Sequence, residues 1–202
     1  TFGDYPAADA LLRGNLAASR AIALDADLGE AYAARGQIAQ NLEWDLTTAL
    51  SHYLKALRTS PNDAATHQWY AEALLMTGDF QNAHLEITRA LEIDPLSLPP
   101  QNLRAYHMLL RGDAGGAMRI YQNLLREHPA FRFGQPNHAF TALAAREYGE
   151  ATHALVAAFP QFGPDIGLLV AAMPGRLYGE MKAERTTTPL RVVLTVQPTE
   201  PG

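Results

Sequence analysis

The chain has no cysteine. That absence removes a disulfide scaffold, thiolate metal sites and a thiol nucleophile, and it leaves the compartment open. Positive charge is also scarce. Against 21 Asp and Glu stand 16 Lys and Arg, a net charge of −5, without the clustered basic face that a nucleic-acid partner requires. No uninterrupted apolar run reaches the roughly 20 residues of a bilayer-spanning helix, so no membrane span is expected. The opening TFGDYPAAD lacks an initiator methionine, a basic stretch and an apolar signal core, and it reads as the start of an excised or processed piece of a longer protein.

Catalytic and cofactor motifs are missing as well. None of the seven histidines, His52, His67, His84, His107, His128, His138 and His153, forms an HExxH pair, and no two lie four apart beside a carboxylate. They read as scattered surface or core-edge residues. Gly112, Gly115 and Gly116 do not follow a strand and lack the Lys-Ser/Thr of a phosphate loop. No serine sits in a GxSxG elbow. Glu43, Asp45, Glu72 and Glu86 stand at the spacing of a solvated helix surface. The expectation is a non-catalytic protein with no cofactor and no metal.

What the chain does have is a period. Pro61, Pro95 and Pro129 stand 34 residues apart, and Ala71/Ala105, Gly78/Gly112, Asp79/Asp113 and Ala83/Ala117 recur in the same step. A 34-residue unit of two short amphipathic helices, a Gly-Asp turn and a closing proline is the signature of the tetratricopeptide repeat. Each hairpin is too small to bury its own apolar face, so neighbours must stack. Ala71, Ala83 and Ala90 are placed where the two helices of one hairpin meet most closely. Gly78 ends its helix in a left-handed conformation, and Pro95 cannot continue one.

The fold expected is all-α, a tetratricopeptide-repeat solenoid of antiparallel helix pairs with a short extended C-terminal tail. Residues 1–28 hold the leading helix of an incomplete repeat, over about 9–24, with Leu11, Leu12, Leu16 and Ile22 as burial candidates. Residues 29–163 hold four repeats, the last degenerate. Their helix pairs are predicted at 30–41/46–58, 64–77/80–93, 98–111/114–127 and 136–146/149–159. One extra residue between Gly36 and Ala49 is assigned to the inter-helix turn, with Trp44 folded back onto the hairpin. Residues 164–185 read as capping helices and 186–202 as an extended tail with one strand, Leu190 to Val196.

Beyond the generic repeat, the text from Glu43 to Ser97 resembles a bacterial subfamily of tetratricopeptide regions. The residues that carry the resemblance are Trp44-Asp45 in the first turn, His67-Gln68-Trp69-Tyr70 in a first helix, and the closing Ile93-Asp94-Pro95-Leu96-Ser97. Such regions form the regulatory half of winged-helix transcriptional activators, some of them membrane-anchored, and of some bacterial adenylate cyclases and kinases. The resemblance therefore implies the regulatory part of a larger signalling or transcription-regulatory protein.

In a stack of such hairpins the first helices line a concave groove. Stepping along each of them predicts Gln37 and Gln40, then Gln68, Trp69 and Glu72, then Asn102 and Tyr106, then Asn137 and Phe140 as its lining. Amides offer donors and acceptors to an extended peptide backbone, and aromatics supply contact area. The expected partner is a protein or peptide, or a small-molecule signal. No Lys or Arg stands at these places, which disfavours a terminal carboxylate as the ligand. The alternative is an assembly solenoid that forms a homodimer through the segment Pro189 to Pro198, whose exposed strand edge would pair with another copy.

Overall fold

The computed structural model describes residues 7–147 and, in the helical stretch after them, positions 150, 151, 154 and 157. The capping helices and the tail strand expected beyond residue 163 lie outside the described residues. All regular structure among the described residues is helical: α1 Ala7–Leu24, α2 Gly29–Ile38, a π turn Ala39–Glu43, α3 Leu46–Thr59, α4 Ala64–Thr77, α5 Phe80–Ile93, α6 Leu98–Leu110, α7 Ala114–Glu127 and α8 Gly134–Ala144. The chain divides into two compact units at Asp113/Ala114. In the first, α1 packs on α2, α2 on α3, α3 on α4, α4 on α5 and α5 on α6, and in the second α7 packs on α8.

The helix ends follow from local chemistry. Asp45, Asp63 and Asp79 cap α3, α4 and α5, their carboxylates accepting the backbone N–H of Thr48, Ala65 and Asn82 at 3.0, 3.2 and 3.2 Å. Pro99 and Pro100 occupy the first turn of α6, where the missing amides would have had no intrahelical partner. Pro136 likewise sits inside the first turn of α8, so that helix begins at Gly134 rather than at the proline.

Among the described residues four adopt positive φ: Trp44 at 56°, Gly78 at 82°, Gly112 at 87° and Arg146 at 63°. They stand 34 residues apart, and at each the preceding helix is closed by a pair of backbone hydrogen bonds. Asp79 N–H reaches Leu74 O at 2.9 Å while Gly78 N–H reaches Leu75 O at 3.1 Å, and Glu147 reaches Ala142 O at 2.8 Å. The turn conformation is thus periodic even where glycine is not.

Two expectations for the first hairpin are corrected. The extra residue does not lengthen the turn. It is absorbed inside the helix by the π turn, so that Asp45 N–H bonds to Ala39 O at 2.9 Å, one residue wider than the Asp79 to Leu74 bond. Trp44 does not fold back: it occupies the left-handed cap position and is 76 % exposed. A non-glycine residue in that conformation carries roughly 1–2 kcal/mol of strain. Trp44→Gly is therefore expected to raise stability by about 0.5–1 kcal/mol, once the greater unfolded-chain entropy of glycine is subtracted. Denaturant unfolding measures it, and a clear loss of stability would mean that the indole packs where the structure shows it open.

Ala71, Ala83 and Ala90 are fully buried, as expected for the closest helix–helix contacts. Around them Leu74, Leu75, Ile87 and Leu103 form the core of α4, α5 and α6, flanked by Leu50, Tyr70, Phe80 and Leu91. A second cluster of Ala39, Ala49, Tyr53 and Ala73 joins α4 to the hairpin before it. In α1 the burial candidates divide. Ile22 packs against the cluster of Tyr32, Ala33 and Ala56, whereas Leu12 and Leu16 are exposed, because α1 covers α2 with one face only and Ala18 takes the buried place. In the second unit Met118, Ala142 and Ala151 form a core, and α8 comes so close to α7 that a Cβ on Gly134 would lie 2.6 Å from Leu125 Cδ2.

Candidate functional site

The first helices of successive hairpins in the first unit are α2, α4 and α6, and α4 touches α6 directly. Their register follows from the small residue that each presents to its partner: Gly36 in α2, Ala71 in α4, Ala105 in α6. Three residues before and one and five residues after that point, α4 carries Gln68, Glu72 and Met76, and α6 carries Asn102, Tyr106 and Leu110. Residues four apart share one helix face, so these are two parallel stripes. Met76, Tyr106 and Leu110 are 45, 43 and 42 % exposed, and Gln68, Glu72 and Asn102 are partly exposed. Gln68, Glu72, Asn102 and Tyr106 were expected here. Met76 and Leu110 were missed, although one further helical turn from Glu72 and Tyr106 reaches them.

The two glutamines predicted from the first hairpin part company: Gln37, one residue after Gly36, is partly exposed at the place equivalent to Glu72 and Tyr106, whereas Gln40 lies in the π turn. Gln40 is 2 % exposed and cannot line an open groove. Four residues after Gly36, it takes the place that buried Leu75 takes in α4. There the buried Tyr53 hydroxyl donates to Gln40 Oε1 at 2.9 Å. Gln37 Nε2 donates to the same hydroxyl at 3.1 Å, and Asn41 Nδ2 donates to Gln37 Oε1 at 3.2 Å. The remaining donor of Gln40, its amide nitrogen, faces the Glu72 carboxylate. Every donor in the chain Asn41–Gln37–Tyr53–Gln40 points toward Glu72, and such chains polarise cooperatively. Burial pushes the Tyr53 phenol well above its ordinary pKa, so it stays a neutral donor.

Burial also holds the Glu72 carboxyl above its ordinary pKa, and the Gln40 amide draws it only part of the way back. A carboxyl with a raised folded-state pKa adds stability below its unfolded value of about 4.5 and loses that contribution as pH rises through the folded value. Glu72→Gln is therefore expected to be more stable than wild type at pH 7, with the difference closing as the solution is acidified toward pH 4. Urea midpoints across that range measure it. Equal midpoints at all pH values would show that the carboxyl is freely hydrated.

Trp69 is partly buried and packs against both Tyr32/Ala33/Ala56 and Ala39/Ala49/Tyr53/Ala73. Its ring fills the seam between α4 and the preceding hairpin, so it positions the stripe rather than belonging to it. In the second unit Asn137 is partly exposed and Phe140 is 38 % exposed on α8.

Three histidines and two carboxylates turn out to be tethers. His67 Nδ1 lies 2.5 Å from Glu86 Oε2 and Nε2 lies 3.0 Å from Pro61 O, tying α4 to α5 and to the turn before it. Burial disfavours the His67 cation, but the bonds to Glu86 and Pro61 outweigh it and the net pKa is raised. His107 Nε2 bonds Phe80 O at 3.1 Å, its ring stacked on His84. Burial lowers the His107 pKa, since the cation would be poorly solvated there. His138 is 3.1 Å from the Glu150 carboxylate, which also accepts from Gln122 Nε2 at 3.0 Å. Among the described residues no group of three His, Asp or Glu side chains could hold a metal ion, and no helix is long and apolar enough to cross a membrane.

The tetratricopeptide repeat family matches residues 52–84, from the middle of α3 through the first turns of α5. No curated protein matches the chain. Several solved structures are similar in fold. A tetratricopeptide repeat protein from Parabacteroides merdae superposes with a TM-score of 0.68 at 16 % identity, covering 82 % of this chain and 66 % of that one. PilF of Pseudomonas aeruginosa gives 0.64 at 20 % identity, covering 78 and 73 %. YrrB, described as a tetratricopeptide protein with an unusual peptide-binding site, gives 0.59 at 17 % identity, covering 82 and 86 %. The fold is that of a tetratricopeptide-repeat solenoid.

Proposed function

We propose that the chain is a non-catalytic binding module that holds an extended peptide segment of a protein partner against the first-helix face of residues 1–113. Tetratricopeptide domains generally mediate protein–protein interaction, and one structural relative is described as having a peptide-binding site. The observation that carries the reading in this chain is the pair of aligned stripes. Gln68 and Asn102 offer amides at one level, and Met76, Tyr106 and Leu110 leave apolar surface open beside them. It is their grouping beside the amides on two touching helices, not exposure alone, that supports the reading.

The test is a double substitution, Gln68→Ala with Tyr106→Ala, in the full chain. Neither side chain is buried, so thermal unfolding is expected to move little. Affinity for peptides selected from a random library on the wild-type chain should fall at least tenfold, read by calorimetry. Wild-type affinity in the double variant would exclude this face as the site.

The placement of the module within a larger bacterial signalling or transcription-regulatory protein rests on the resemblance of Trp44-Asp45, His67-Gln68-Trp69-Tyr70 and the segment Ile93 to Ser97. It is checked by whether the same reading frame encodes a winged-helix, cyclase or kinase segment.

A further inference from the structure

The binding face holds one charged side chain with no partner of opposite sign. Glu72 lies mid-stripe on α4, and among the described residues no lysine, arginine or histidine forms an ion pair with it. Three other glutamates of this unit have cationic or imidazole partners: Glu86 with His67, Glu43 with Arg35 at 3.7 Å, Glu92 with Arg89 at 3.1 Å. An ionised carboxylate has about four acceptor positions. Gln40 faces Glu72 from the core side, at the end of the donor chain that runs from Asn41 through Gln37 and Tyr53. Glu72 is only partly buried, so part of that acceptor capacity stays open on the stripe.

What stands around that open side narrows the ligand further. Tyr106 occupies in α6 the position that Glu72 occupies in α4, and its ring is 43 % exposed. A carboxylate and an exposed aromatic at equivalent places on two touching helices together favour a cation, which gains a charge-assisted hydrogen bond from one and quadrupole attraction from the other. An anionic ligand would meet an unscreened like charge.

Resting on the binding reading above, we propose that the peptide taken by this face carries an arginine or lysine whose cation sits on Glu72 beside Tyr106, with an apolar residue of the same peptide on Met76 and Leu110. The half-buried Glu72 carboxyl, held above its ordinary pKa by burial, is the group that such a cation would relieve.

The experiment begins with capped ten-residue peptides selected from a random library on the intact chain. The tightest binder is resynthesised with each arginine replaced in turn by citrulline, its neutral isostere, and each lysine by norleucine. One replacement is expected to weaken binding at least tenfold, Glu72→Gln to weaken the parent peptide equally, and the two losses not to add, since they remove one interaction. Glu72→Asp keeps the charge and should retain most of the affinity. Binders without a cation, or a cation dependence unchanged in Glu72→Gln, would overturn the proposal. If Gln68→Ala/Tyr106→Ala still abolishes that binding, the face stands and only the cationic partner falls. A library that yields no binder, or binders indifferent to the double substitution, removes both readings.

Discussion

Gly36→Ala is expected to lower stability by about 2–4 kcal/mol, although alanine is the better helix former by about 1 kcal/mol. A Cβ at Gly36 would lie 2.6 Å from Tyr53 Cδ1 and 2.9 Å from Cζ, and closer still to Cε1. Tyr53 is completely buried, so its ring has no solvent to move into. Displacing it also breaks the hydroxyl's bonds to Gln37 and Gln40, leaving a buried amide oxygen unpaired. Chemical denaturation gives the magnitude. A cycle with Tyr53→Leu identifies the cause, because the penalty for Gly36→Ala should shrink once the ring is gone. A penalty unchanged by Tyr53→Leu would place the clash elsewhere.

Ala83→Leu should cost up to about 3 kcal/mol by overpacking the α4–α5 contact. Ala83 is fully buried in one cluster with Ala71, Leu74, Leu75 and Ile87, and close-packed interiors have no void into which a larger side chain can expand. The neighbouring Leu85 is 58 % exposed, so Leu85→Ala serves as the control and should change stability by less than about 0.5 kcal/mol. A thermal midpoint unmoved by Ala83→Leu would mean that the hairpin interface lies on another face of α5.

Part of the face was readable because it repeats. Gln68 and Asn102 stand at equivalent places 34 residues apart, as do Glu72 and Tyr106. The error at Gln40 has a legible cause. Counted from Gly36, Gln40 is the equivalent of Leu75, four places after Ala71, and Leu75 belongs to the core. Counted from Ala49 instead, it is the equivalent of Leu74, nine places before Ala83 and also in the core, so either register places Gln40 inside and only its amide chemistry pointed to the groove. Trp69 misled for a different reason. An aromatic beside polar groove residues has the chemistry of a contact residue, but two places before Ala71 it meets the preceding hairpin.

Over residues 9–127 the sequence by itself determined the helices, their order and most of their ends. Those depend on neighbours a few residues away: an Asp that caps, a Gly that turns left-handed, a proline that cannot extend a helix, and alanines at a fixed period where two helices must touch. It also exposed the one-residue insertion before Ala49. Only the tertiary structure decided where that residue went. Local sequence does not separate a π turn from a longer loop; the π turn is accompanied by the packing of Tyr53 under Gly36 and by the bonds its hydroxyl makes to Gln37 and Gln40. The same holds for Glu72 and Glu86. Both read as solvated surface carboxylates, because burial and pairing with residues distant in sequence are properties of helices brought together in space, which no local pattern encodes.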